Sequence, residues 1–477
     1  MNGTGWMMNR GWIVQLIDHD AAAAALAEGL GAGADFVELF IENQKVSSVS
    51  WLDSKVKDIK SGLDFGVGIR VIFGTRAFYG YTNESDRDEL IRVTRQLCDV
   101  ERRAGMNAEI QSVPACVVMT NRHPARLGLD QDNRVEEKLA WMEKIDRACR
   151  SHKRIAQVDL GIHQRWQRVQ IINSEGLNAA DTRHYCRASA TAIAADGTLQ
   201  SRAFEGPGHL GGFESVAALS PEELAETITK RALTALDAEP CPAGPMPVVI
   251  DSGFGGVIFH EACGHLLETT SVEKKASVFH DKMDEMIAHP AVSAVDDGTI
   301  DSMWGSINMD DEGMETRKTR LIDQGRLCSF LVDRVGELKT GYSRTGSGRR
   351  QSYKFPPASR MRNTFIEPGQ HSLEDILATV DHGLYAKAMG GGSVSPGTGD
   401  FNFAVEEAYL IEKGRVGRPL RGATLIGSGP DVLKKISMVG ANFRLTPGMC
   451  GSVSGSIPVT VGQAAIKVDE ILVGGQA

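Results

Sequence analysis

No apolar run in the chain approaches the roughly 20 residues that span a bilayer, so no membrane-embedded segment is expected. The start, Met1 to Gly31, lacks the basic-then-apolar layout of a signal peptide. Ile13, Val14, Leu16 and Ile17 make only a short apolar patch, which Asp18 interrupts. The eight cysteines (98, 116, 149, 186, 241, 263, 328 and 450) include no C-x-x-C pair. Most of them read as small buried thiols kept reduced, and the cytosol is the expected compartment. An internal repeat of roughly 20–50 residues is missing too. Positive charge is not in excess: 52 Lys and Arg stand against 61 Asp and Glu, a net charge of -9. No general attraction to nucleic acid follows.

What is present is enough for substantial cores, with 477 residues and 42% hydrophobic content, and two domains are expected. The first half reads as α+β and two-layered. Helices are expected over 21–30 behind Asp20, from Ser85 to 98, over 135–149 and over 221–236 behind Ser220. Strands are expected at 36–41, 46–52, 66–74 and 75–81. A pair at 155–162 and 166–172 follows, then a hairpin turning at Asp196-Gly197. Residues 101–130 show no clear period. Four prolines between Asp237 and Pro247 mark a linker, giving domains over 1–236 and 248–477 around a linker at 237–247. The second domain reads as mostly β, with strands at 316–322, 326–332 and 405–411 and a short helix capped by Ser372.

That second domain begins with the stretch that carries chemistry. Residues 248–250 read as a buried strand, Gly253, Gly255 and Gly256 as a turn, and the next residues as a short helix bearing His260, Glu261 and His265. Imidazole is the commonest neutral nitrogen ligand for zinc. A carboxylate beside a ligating His is where a metallohydrolase keeps its general base. The histidines are five residues apart, not four, which turns them about 140° from one another on a regular helix. A π-bulge would bring them together, with Gly264 supplying backbone freedom. A buried amphipathic helix with hydrogen-bonded histidines fits the spacing equally well. Cys450, flanked by Gly448 and Gly451, is a candidate third ligand, with Glu268, His280, Asp281 and Cys263 as rivals.

Three other stretches read more plainly. Gly390 to Gly399 lacks the Gly-Lys-Ser/Thr of a phosphate loop and suits close approach to an extended substrate backbone. Lys339 to Arg362 holds seven basic residues and no acidic one. With little aromatic interleaving, it reads as a solvated or substrate-carboxylate-facing loop, not as a nucleic-acid surface. Asp310, Asp311 and Glu312 read as an exposed acidic face.

The run His260-Glu-Ala-Cys-Gly-His265 resembles the His-Glu-x-x-x-His signature of the TldD branch of the TldD/PmbA metallopeptidases. The segments Gly346–Tyr353 and Arg360–Gly369 are similar to that family's arginine-rich segment and following strand. Gly390–Phe403 is similar to its glycine segment, and Thr446–Gly451 with Ile457–Gln463 to its terminal cysteine motif. The order matches over 248–470, and the histidine pair points to the metal-bearing branch. The resemblance implies Zn²⁺ held by His260, His265 and Cys450, with Glu261 as general base for hydrolysis of unfolded or extended peptides. It also implies a PmbA-like partner subunit, with a homodimer as the alternative. Arg349, Arg350 and Tyr353 are the basic and phenolic groups considered for oxyanion stabilisation. The competing class is a non-catalytic partner or regulatory subunit of a related heteromeric protease.

Overall fold

The computed structural model describes residues 16–101, 112–120, 122–123, 134–395 and 397–475. Ile13, Val14, most of the aperiodic stretch 101–130 and Pro396 of the glycine segment lie outside them. Four long antiparallel strands organise the first half: Phe36–Leu52, Lys55–Phe73, Ile155–Asn173 and Asn178–Asp196. Their alternation sorts side chains onto two faces. On one face Val37, Leu39 and Ile41 lie under the helices His19–Gly31 and Arg87–Cys98. Further along the same face, Val49 and Trp51 lie under Val135–Arg150 and Pro221–Asp237. Strands of 17–19 residues are long enough to carry both helix pairs.

The second face explains two differences from the sequence expectation. The segments 36–41 and 46–52 are one continuous strand, as are 155–162 and 166–172. The polar residues between them are not turns, because that face meets the second half of the chain. Phe40, Val169 and Ile171 pack there against Met309 and Tyr353. The hydrogen bonds run Gln167 Nε2 to Glu42 (2.7 Å) and Tyr353 N to Glu42 (2.7 Å). Two caps also shift: Asp18 and Asp86 cap their helices, in place of Asp20 and Ser85. The hairpin at Asp196-Gly197 and the Ser220 and Ser372 caps form as expected.

In the second half, Gly244–Ile250 pairs with both His382–Val394 and Ile466–Gly474. Pairing continues through Thr424–Ser428 and Asp400–Glu412 back to His382–Val394, closing a five-stranded ring. Glu239–Pro240, inside the proline-rich stretch, joins this sheet beside Arg415–Arg421. A six-stranded sheet lies alongside and ends in the hairpin Arg444–Ser452 and Gly455–Gln463. The helix Val257–Ala262 is buried in the core of this half with Val248, Phe403 and Ile466. No helix among the described residues is long and apolar enough to cross a membrane.

The acidic triplet is not an exposed face. Asp310, Asp311 and Glu312 are buried at the junction with the first half. Arg70 sits between Glu38 (2.7 Å) and Glu312 (2.6 Å), Arg350 meets Glu38 at 2.8 Å, and Arg183 meets Asp311 at 2.7 Å. Nor is the basic stretch a solvated loop throughout. Arg349, Arg350, Arg360 and Arg362 are buried, and Arg362 pairs with Asp296 at 2.6 Å. Isolated hydrophilic runs imply solvent unless a partner is brought to them, and here folding brings the partner.

Candidate metal centre

The turn from helix to site is a break, not the π-bulge expected. The α-helix ends at Ala262, Cys263 leaves helical geometry (φ -136°, ψ -54°), and a 3₁₀ turn resumes over Gly264–Leu267. Cys263 N–H still bonds back to Phe259 O, while Leu266 and Leu267 N–H both return to Cys263 O. This hinge brings the imidazoles of His260 and His265 to 5.0 Å between ring centroids, nearly perpendicular at 84°. Gly264 is not in the left-handed region. It is needed for space, since a Cβ there would lie 2.1 Å from Met361 Sδ. Gly256 serves the approach to the hairpin strand in the same way: its Cβ would fall 2.5 Å from Gly462 N.

That strand's partner, Arg444–Ser452, carries Cys450 into the same place. Cys450 Sγ lies 3.2 Å from His265 Nε2, across 185 residues of sequence. One donor atom from each of His260, His265 and Cys450 falls within 4.8 Å of the others. Ligand distances typical of zinc, about 2.0–2.3 Å, set tetrahedral edges of roughly 3.5 Å, so the spacing fits a shared ion. The donor set fits as well, and His260 Nδ1 is buried without a hydrogen-bond partner. These three residues could hold a metal. Glu261 stands at the rim, its carboxylate 3.8 Å from His265 Nε2 and its side chain 20% exposed.

Glu268 stands behind the group and not in it. Its Oε2 lies 3.0 Å from His265 Nδ1, which leaves Nε2 to face Cys450. The three-residue offset from His265 was the sequence signal for this role. His280 Nδ1 lies on Ser277 O at 2.9 Å, and Asp281 is exposed beside Lys282; neither joins the cluster. Cys263 is fully buried in the core, where burial pushes its thiol far up. Burial opposes the Cys450 thiolate too, but the charge of His260 and hydrogen bonds from both imidazoles outweigh it, holding Cys450 well below the usual thiol value. Burial likewise opposes a charged His265, yet Glu268 and Cys450 raise it well above an ordinary imidazole. The oxyanion candidates are committed elsewhere. Arg349 donates to Met361 O (2.6 Å), Arg350 to Glu38 and Asp311 O, and Tyr353 to Asp64.

Comparison with known proteins shows the family. Family models for the PmbA/TldA metallopeptidases match in chain order: domain 1 over 37–100, the central domain over 130–236 and the C-terminal domain over 243–475. A Haemophilus influenzae protein named metalloprotease TldD homolog is 34% identical over 449 residues, covering 92% of this chain and 93% of that one. The chain belongs to the PmbA/TldA metallopeptidase family. Membership makes it a peptidase of the metalloprotease class and bears out the resemblance read from its motifs.

A second relative, from Saccharolobus solfataricus, is named zinc metalloprotease TldD homolog and is 26% identical over 446 residues, covering 93% of this chain and 97% of that one. Among solved structures, TldE from Thermococcus kodakarensis shares the fold with a TM-score of 0.75 at 20% identity, covering 95% of this chain and 100% of that one. A Thermotoga maritima protein described as a putative modulator of a DNA gyrase aligns with the same TM-score at 19% identity, covering 95% and 99%. At such identities these two structures speak for the fold alone.

Proposed function

We propose that the chain is a zinc-dependent peptidase acting on unfolded or extended peptides, with His260, His265 and Cys450 as ligands and Glu261 as general base. The observation that carries this is the 3.2 Å approach of Cys450 Sγ to His265 Nε2 across 185 residues of sequence, with His260 gathered into the same cluster. His260, His265 and Cys450 would hold the ion, which would supply Lewis acidity for polarising a carbonyl and activating water. Glu261, partly open to solvent beside the cluster, takes the proton of the attacking water and returns one to the leaving amine. Glu268 keeps the His265 ring turned so that Nε2 points inward.

One feature supports a peptide substrate. Beside Thr446, Pro447, Gly448 and Met449 lies a cavity of about 780 Å³, also lined by Gly390 and Gly391, which suits the glycine segment's expected closeness to substrate. Pairing with a PmbA-like subunit is part of the proposal; the shared fold with TldE supports it, and self-association is the alternative. No disulfide joins the eight cysteines, which suits a reducing compartment such as the cytosol.

The test is Glu261→Gln, assayed on an unstructured peptide with zinc content measured alongside. Zinc stays near one per chain and turnover falls by about 10²–10⁴. Full turnover in that variant would remove Glu261 from the role of base, and a wild-type chain without zinc would remove the ligand assignment.

A further inference from the structure

Behind the cluster, two buried polar atoms face each other without hydrogen-bond partners: Glu268 Oε1 and Arg360 Nε. They lie 3.8 Å apart. Both terminal nitrogens of the Arg360 guanidinium are engaged. Nη1 donates to Ser454 Oγ (2.9 Å) and Gly455 O (2.9 Å), and Nη2 donates to Cys450 O (2.5 Å). Arg360 is entirely buried, and Glu268 is 2% exposed. One side chain thus touches the main chain of Cys450, the turn that follows it and the carboxylate that orients His265.

We infer that Arg360 is a positioning residue of the metal centre, holding the Cys450 main chain and the Glu268–His265 pair in fixed relation. The inference rests on the ligand set proposed above and adds a residue that touches none of the reacting atoms. Partners behind the ligands fix their orientation, and losing one typically lowers metal affinity by about 10- to 100-fold. A planar guanidinium with donors on two sides can bridge a carbonyl, a turn and a carboxylate at once. An ammonium is a point charge on a flexible stem and cannot span them in one geometry. If Arg360 served only to neutralise the buried Glu268, a lysine would do as well.

The test uses full-length Arg360→Lys, Arg360→Met, Glu268→Gln and the Lys/Gln double variant. Zinc affinity is read by chelator competition, and cobalt(II) substitution gives a thiolate-to-metal charge-transfer band that reports on Cys450 directly. Arg360→Lys lowers zinc affinity by about 10- to 100-fold and weakens or shifts the band, while circular dichroism shows the metal-free chain still folded. Glu268→Gln lowers affinity by itself, and the double variant loses less than the product of the two single losses, because the pair acts as a unit. Affinity within about 2-fold of wild type with an unchanged band in Arg360→Lys, or independent losses in the cycle, would overturn the inference. Should Arg360→Met fail to fold, the Lys and Gln variants still decide. Failure of the ligand set itself looks different: a wild-type chain that takes up cobalt without a thiolate band removes Cys450 from the centre, and the positioning role goes with it.

Discussion

At the junction between the halves, Glu38, Arg70, Asp311, Glu312, Arg183 and Arg350 are buried, each with an opposite charge 2.6–2.8 Å away. At the candidate metal centre His260 and Cys450 are as deep but are compensated differently. Unbonded polar atoms occur in both, Nε of Arg70 and of Arg350 at the junction and His260 Nδ1 at the centre, but the centre gathers two imidazoles and a thiol within 4.8 Å of one another. Both clusters join residues far apart in sequence. Burying charge is costly unless it is met by charge or hydrogen bonds. The junction meets that cost from within the chain and fixes how the two halves dock. The centre leaves donors aimed at a common point, and on the proposed reading the missing compensation is the ion.

The comparison is sharpest where one cluster loses function without losing stability and the other does the reverse. Cys450→Ser removes the thiolate: zinc is lost on metal analysis and peptide hydrolysis is abolished, while metal-free melting barely moves. A metal-free Cys450→Ser chain that fails to fold would break the contrast. Arg70→Met does the opposite, leaving Glu38 and Glu312 buried without their shared cation. Denaturant unfolding should show a loss of about 3–5 kcal/mol, with zinc per folded molecule unchanged. A loss of zinc at full folding would mean that the junction is part of the site.

The smallest effect is one of pH. Burial first, and then the charge of Glu312, push the Asp333 carboxyl up to about 6 from an ordinary 3.8. Its folded pKa lies above its unfolded one, so the native state binds more protons between roughly pH 4 and 6, and stability falls as pH rises through that window. Asp333→Asn still offers an oxygen to cap Gly336 N and has no charge to bury. Its melting temperature relative to wild type should therefore climb from pH 4 to 7 and then level. A difference that stays constant with pH would show Asp333 to be ionised throughout.

Legibility differed between these regions for a physical reason. The helices over Val135–Arg150 and Pro221–Asp237, the Asp196-Gly197 turn and the Ser372 capping box follow from local periodicity and caps, which act over a few residues. Interrupted strands were expected at 42–45 and 163–165 because a polar run looks like a turn when the face it meets is unknown. Asp310 to Glu312 and the arginines after Lys339 were placed in solvent for the same cause. The bond that buries Glu312, from Arg70, crosses 242 residues, and no local pattern registers it. The five-residue histidine gap signalled some distortion, yet whether the helix would bulge or break depended on Cys263 and on the Met361 sulfur pressing against Gly264.

By itself the sequence determined the candidates: two imidazoles and a carboxylate on one short segment, a thiol in a glycine-flanked strand, and motifs in the family's order. These are matters of residue type and nearest neighbours, where side-chain chemistry and local backbone preference suffice. Tertiary structure alone decided that Cys450 reaches His265 and that Glu268 turns behind the ring. It also decided that a charged layer locks the halves together. Distances between remote side chains are set by how sheets and helices pack, and packing is a property of the whole chain at once.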